Sequence, residues 1–183
     1  MRLLAISGSL RAGSYNTALA RAAVDLAPAG VDVEVFDGLG DLPLFDADRE
    51  GDAHEAVQHL RDEIDAADAV LFVTPEYNGS IPGVLKNAVD WASRPRDDAA
   101  LRGKTVAVAG ASTGQYGAMW AQQDLRRVLG VAGARVVCPD LPVARAQVVC
   151  DPSGAPSPLV AERLRTHLAE LVREAAAPIT VAA

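Results

Sequence analysis

Short runs of aliphatic and β-branched residues alternate along the chain with longer segments whose apolar positions recur at helical spacing. Leu3-Leu4-Ala5-Ile6 is a brief apolar run that stops at Ser7-Gly8 and predicts a buried first strand. Residues 17–27 carry Leu19, Ala20, Ala23, Val24 and Ala27 on one face and end at Pro28-Ala29-Gly30, which predicts a helix. Val31, Val33 and Val35 alternate with Asp32 and Glu34, the pattern of a strand near a sheet edge. Residues 37–52 hold Gly38, Gly40, Pro43 and Gly51 and predict a long loop; residues 53–66 turn Val57, Leu60 and Ile64 inward as a second helix. Ala69-Val70-Leu71-Phe72-Val73 has no polar alternation, so both faces of this strand should be covered. A helix over 82–92, a strand over 105–109, a helix over 118–129 and a fifth strand over 135–138 follow. A Pro-rich turn over 152–158 and a last helix over 159–176 complete the pattern.

Five strands separated by helices predict an α/β protein, a parallel sheet with helices on both faces. Such sheets bind ligands beyond the carboxyl ends of their strands, which directs attention to the loops after strands one, three and four. No internal repeat or linker divides the chain, and its 183 residues are read as a single domain, 1–183. A chain of this length buries about 70% of its unfolded surface and needs no covalent staple. Its balance of 17 Lys+Arg against 24 Asp+Glu, net charge -7, argues against a nucleic-acid partner, which needs clustered cations. No apolar run approaches the ~20 residues of a membrane span, and a cytoplasmic protein is expected. Cys138 and Cys150 form no CxxC pair, and His54, His59 and His167 are scattered, so no metal site is expected.

The loop after the first strand, Ser7-Gly8-Ser9-Leu10-Arg11-Ala12-Gly13-Ser14-Tyr15-Asn16-Thr17, offers hydroxyls, glycines and one guanidinium at a helix N-terminus. Those are the groups that hold a phosphate. Gly8 and Gly13 have the spacing of a Walker A loop, but Ser14 stands where its lysine belongs, so a nucleoside triphosphatase is excluded. A Gly-x-Gly-x-x-Gly is also absent, and a monophosphate held without metal fits better. The competing reading is an ordinary turn capped by Ser14 or Asn16, with Arg11 solvated.

The loop after the third strand, 74–83, is stiffened by Pro75 and Pro82 and suits a planar heteroaromatic ring, with Gly79 allowing close approach to backbone N–H groups. Gly8-Ser9-Leu10-Arg11 with Ser14 and Asn16, followed by Pro75-Glu76-Tyr77-Asn78-Gly79-Ser80-Ile81-Pro82-Gly83-Val84-Leu85-Lys86-Asn87-Ala88-Val89-Asp90-Trp91, resembles the NAD(P)H-dependent FMN reductase family, which includes flavin, quinone, azo-dye and chromate reductases. The resemblance runs to about Leu141. It implies a flavodoxin-like three-layer sandwich with a five-stranded parallel sheet of order 2-1-3-4-5. It also implies bound FMN, NADPH or NADH as co-substrate, and a homodimer or homotetramer with each flavin near a subunit interface. By this similarity Ser9, Arg11, Ser14 and Asn16 hold the FMN phosphate with Leu10 and Thr17 beside it, and Pro75, Glu76, Tyr77, Asn78 and Gly79 line the ring. Tyr77 as an interface residue and Glu76 as a solvated charge are the alternatives, while Lys86, Asn87, Asp90 and Trp91 are expected to fix their helix and a dimer contact.

The loop after the fourth strand matches the family in Ser112 and its spaced glycines, and Ser112, Gly114 and Gly117 are candidates for the far end of the flavin. It departs from the family's pattern at Thr113 and Ala118, and a helix-entry turn is the other reading. The activity implied is a ping-pong transfer from NAD(P)H through FMN to a small-molecule acceptor: free flavin, quinone, azo compound or metal oxyanion. A flavin-dependent monooxygenase receiving reduced flavin is among the implied partners. No side chain is needed as acid or base, in keeping with the absence of histidine from all three loops. The rival is a flavodoxin-like electron carrier, but 4% aromatic residues leave little to sandwich a ring. A flavin-free scaffold is a second rival.

Overall fold

The computed structural model describes residues 1–52 and 54–177. Its centre is a parallel sheet in the order β2-β1-β3-β4-β5, formed by β1 (Arg2–Ser7), β2 (Asp32–Phe36), β3 (Ala69–Val73), β4 (Thr105–Ala111) and β5 (Arg135–Val136). This is the flavodoxin-like order expected, with the alternating strand β2 at one edge. β3 and β4 are buried along their whole length, as strands covered on both faces must be.

The fifth position differs from expectation. The ladder breaks after Val136 and resumes as β6 (Leu141–Val143), which also pairs with β4, so the strand predicted over 135–138 forms only at 135–136 and the sheet gains a short strand that was not predicted. Cys138 at φ 60 and Pro139 account for the interruption, since neither continues an extended ladder.

Helices cover the sheet on both sides, and the alternation of side chains along each strand decides which helix meets which residue. Leu4, Ile6, Val70, Phe72, Val106 and Val108 face α2 (Glu55–Ala66), α3 (Gly83–Ala92) and α4 (Met119–Val131). Leu3, Ala5, Leu71, Val73, Ala107 and Ala109 face α1 (Tyr15–Leu26) and α6 (Pro158–Ala176). Between them α5 (Ala146–Val149) is one turn that sequence periodicity did not reveal. The helix boundaries fall within two residues of those predicted; Ala53, the expected start of α2, lies outside the described residues.

The long loop 37–52 winds through two 3-10 turns and is fastened by α3. Asn87 accepts from Phe45 N–H at 2.7 Å and donates to Pro43 O at 2.8 Å, and buried Trp91 donates to the same oxygen at 2.8 Å. Lys86 pairs with Asp90 one turn along the helix at 2.6 Å. Among the described residues no helix is long and apolar enough to cross a membrane, and no cluster of three His, Cys, Asp or Glu could hold a metal.

Candidate active site

Parallel strands deliver all their exit loops to one edge, and here the loops after β1, β3 and β4 enclose a cleft of about 150 Å3. Ser9, Arg11, Ser14 and Asn16 line it from the first loop, Pro75, Glu76 and Tyr77 from the second, and Ser112 from the third. Tyr15, Ala111 and Thr113 also line it, and none of these three was among the cofactor-binding candidates, Thr113 having been noted only as a departure from the family's pattern. Leu10, Thr17, Asn78, Gly79, Gly114 and Gly117 lie outside the immediate wall.

The first loop presents donors without acceptors. Ser14 caps α1, its hydroxyl accepting from the N–H groups of Asn16 and Thr17 at 3.2 and 3.3 Å. The N–H groups of Gly13, Ser14 and Tyr15 have no acceptor among the described residues. Arg11 is exposed, makes no ion pair among the described residues, and lies with its guanidinium 6.0 Å from the Tyr15 ring centre. An unpaired guanidinium beside orphan amides at a helix N-terminus is the donor set of an anion site. Thr17 points elsewhere, sharing a 2.9 Å hydrogen bond with Ser7, and exposed Leu10 leans toward Gly40.

Asn16 lines the cleft and also braces the fold. Its side chain is buried, donating to Ala111 O at 2.9 Å and accepting from Ala111 N–H at 2.8 Å. The amide thus takes the place of a missing strand neighbour and joins the first loop to the end of β4.

The second loop is a tight turn. Tyr77 and Ser80 exchange N–H···O bonds of 3.0 and 3.1 Å, with Asn78 at φ 53 and Gly79 at φ 76 between them. Two successive left-handed residues make a type I′ turn, the geometry that Asn-Gly favours. Gly79 is therefore required by its backbone angle; no atom crowds the space its side chain would fill. The turn leaves the Asn78 and Gly79 N–H groups without an acceptor among the described residues.

Two side chains fasten this loop to α4. Glu76 accepts from Trp120 and Ala121 N–H at 3.0 and 3.2 Å, capping a helix whose own preceding residue, Ala118, has no side-chain acceptor. Ser80 donates to Asp124 at 2.5 Å. That bond, followed by the Arg127 pair, holds the Asp124 carboxyl below its ordinary range. Glu76 is thus neither a solvated charge nor an unpartnered one. Glu76→Ala is expected to cost about 1 kcal/mol, the usual worth of an N-cap. Thermal unfolding should show a Tm lower by about 2–4 °C; an unchanged Tm would show that the cap is not made in solution.

In the third loop Gly117 sits at φ 59, where a Cβ would meet Val143 N at 2.7 Å, and Gly114 O accepts from Arg145 N–H at 2.9 Å. Both glycines serve the packing of this loop, Gly117 on β6 and Gly114 on the segment that follows it, while Ser112 alone of the three candidates reaches the cleft.

Comparison with known proteins follows the same lines. The family model described as NADPH-dependent FMN reductase matches residues 1–147. An NAD(P)H-dependent FMN reductase of Pseudomonas aeruginosa is 48% identical over 130 residues, 70% of this chain and 69% of that protein. A quinone reductase of Escherichia coli K12 is 41% identical over 139 residues, 75% and 73% of the two chains. Among solved structures, the flavoenzyme NAD(P)H:(acceptor) oxidoreductase FerB of Paracoccus denitrificans superposes with a TM-score of 0.80 at 33% identity, covering 94% of this chain and 97% of its own. The chain belongs to the NADPH-dependent FMN reductase family and is an oxidoreductase with FMN as its cofactor and NAD(P)H as its co-substrate.

Proposed function

We propose that the cleft between the three loops holds FMN and that the protein passes electrons from NAD(P)H to a small planar acceptor of the quinone class in a ping-pong cycle. The observation that carries this reading is the donor set of the first loop: unpaired Arg11 with the orphan N–H groups of Gly13, Ser14 and Tyr15. Arg11, Ser9 and Ser14 would take the phosphate, with the Asn16 and Thr17 N–H groups now shared by Ser14 at hand. Pro75, Tyr77, Asn78 and Gly79 would face the ring, and the two orphan N–H groups of the turn would meet negative charge developing at its pyrimidine end. Ser112 would close the far side.

The redox chemistry is that of FMN: a hydride taken from NAD(P)H and two electrons returned to the acceptor. The protein's own share is positioning. Glu76 and Ser80 anchor the ring platform to α4 before any ligand arrives, so little ordering is left to be done on binding. No acid or base from the chain is called for. Cys138 and Cys150 are half-buried free thiols, and desolvation raises both above their ordinary range, Cys138 to about 12, which favours the protonated thiol.

The test is an anaerobic absorbance titration of the FMN-loaded protein with NADPH and then NADH. Bleaching by either nucleotide alone supports the reading and ranks the two. FMN that binds but resists both would identify an electron carrier, and failure to bind FMN would overturn the site. Arg11→Ala is expected to weaken FMN binding at least tenfold, since a charge-assisted bond contributes about 1.5–3 kcal/mol. Fluorescence titration of the apoprotein measures it; an unchanged Kd would remove Arg11 from the phosphate site.

A further inference from the structure

The chain has eight aromatic residues, and among the described residues the three exposed ones, Tyr77, Tyr116 and Trp120, stand on one rim. Tyr77 lines the cleft, and the Trp120 N–H donates to Glu76, which lines it too. Tyr116 belongs to the loop that gives the cleft Ser112 and Thr113. Tyr116 and Trp120 meet edge to face, ring centres 4.8 Å apart at 63°. An edge-to-face pair leaves ring faces outside the contact, and here both residues are close to half exposed. Their backbone is not loose: Tyr116 O accepts from Met119 N–H at 3.2 Å, and Glu76 clamps the turn that follows.

We infer that Tyr116 and Trp120, with Tyr77 on the same rim, form the stacking surface that positions the planar electron acceptor beside the cleft. This rests on the oxidoreductase reading above and adds the residues that select the acceptor. The chemistry they recognise is a flat, uncharged aromatic dione. Its rings stack on Trp120 and Tyr116, and its carbonyl oxygens accept from phenol hydroxyls. The overall reaction balances as NAD(P)H, one proton and quinone giving NAD(P)+ and quinol. Acceptors without a ring face, such as ferricyanide, gain nothing from this surface.

The experiment uses the full-length, FMN-loaded, oxidised protein without NAD(P)H, so that binding is read without turnover. The probe is 2,3-dimethyl-1,4-naphthoquinone, whose substituted ring has no open position for thiol addition. Trp91 is 2% exposed and Trp120 is 45% exposed, so iodide quenches the emission of Trp120 selectively. The quinone should shield that emission saturably, and Trp120→Phe should remove the iodide-sensitive signal. In Trp120→Ala the KM for the quinone, relative to that for ferricyanide, should rise about three- to tenfold, the worth of one aromatic contact. Alanine is a strong helix former at this exposed position, so the variant should fold.

Absence of saturable shielding, or an unchanged KM ratio in Trp120→Ala, would overturn the proposal. So would a change of oligomeric state in Trp120→Ala with quinone parameters unaltered, which would assign the rim to contact between copies of the chain. Failure of the wild-type protein to oxidise NADPH with ferricyanide would instead overturn the functional reading, and the shielding titration would still decide whether the rim binds the quinone.

Discussion

Asn16→Ala is expected to destabilise the protein by about 3 kcal/mol, lowering its Tm by about 6–12 °C. The loss comes from the partner left behind. Ala111 is buried at the end of β4, and both its N–H and its C=O are satisfied by the Asn16 side chain. An orphaned buried backbone group costs about 1–3 kcal/mol, and alanine at position 16 orphans two. Aspartate should not rescue, because it keeps the acceptor for Ala111 N–H but sets a carboxylate oxygen against Ala111 O. Urea denaturation of the apoprotein is the measurement, and a loss below about 1 kcal/mol would mean that the bridge from the first loop to β4 is not formed. FMN affinity should fall as well, since the loop bearing Arg11 would no longer be pinned.

His167 gives the second large effect, through pH. It is buried in α6 with Nε2 unpartnered, and desolvation, followed by Arg126 and Arg163, lowers it from 6.5 to about 4. The folded protein holds this ring neutral, while the unfolded chain takes up a proton near pH 6.5. Between pH 6.5 and about 4 the unfolded state therefore binds more protons, and stability falls as the pH drops. The contribution is intact above the upper limit and lost below the lower one, about 3 kcal/mol in all and about 2 by pH 5. Urea melts at pH 7 and pH 5 should show that loss in the wild type and a much flatter response in His167→Gln. Equal slopes in the two proteins would assign the acid sensitivity to other groups.

How much of this was readable in the chain depended on the reach of each interaction. β3 and β4 announce themselves because a strand covered on both faces needs an unbroken apolar run. The donors of the first loop are local, and their residue types name their geometry; the Asn78-Gly79 turn is just as local, but Gly79 was read only for the close approach it allows to backbone N–H groups. β6 was hidden by Pro142, which argues against a strand; at the sheet's edge its missing N–H breaks no bond to β4. Asn16 and Ala111 are 95 positions apart, and Glu76 is 44 from Trp120. Composition around Asn16 suggests a phosphate ligand, and only the folded arrangement reveals a girder. Tyr116 and Trp120 likewise read as ordinary loop and helix residues until the loops are brought together.

The family match stops at residue 147, but the sheet does not stop needing cover there. Val160, Leu164, Leu168 and Leu171 of α6 are at most 4% exposed and lie with α1 over Leu71, Ala107 and Ala109. A chain cut at residue 147 would keep every side chain that lines the cleft and lose half the shelter of one sheet face. Such a fragment should be sticky and insoluble despite an intact cleft wall. Reactivity and solubility are thus written in different stretches of the polypeptide, and the stretch without a chemical signature is the one that keeps the rest in solution.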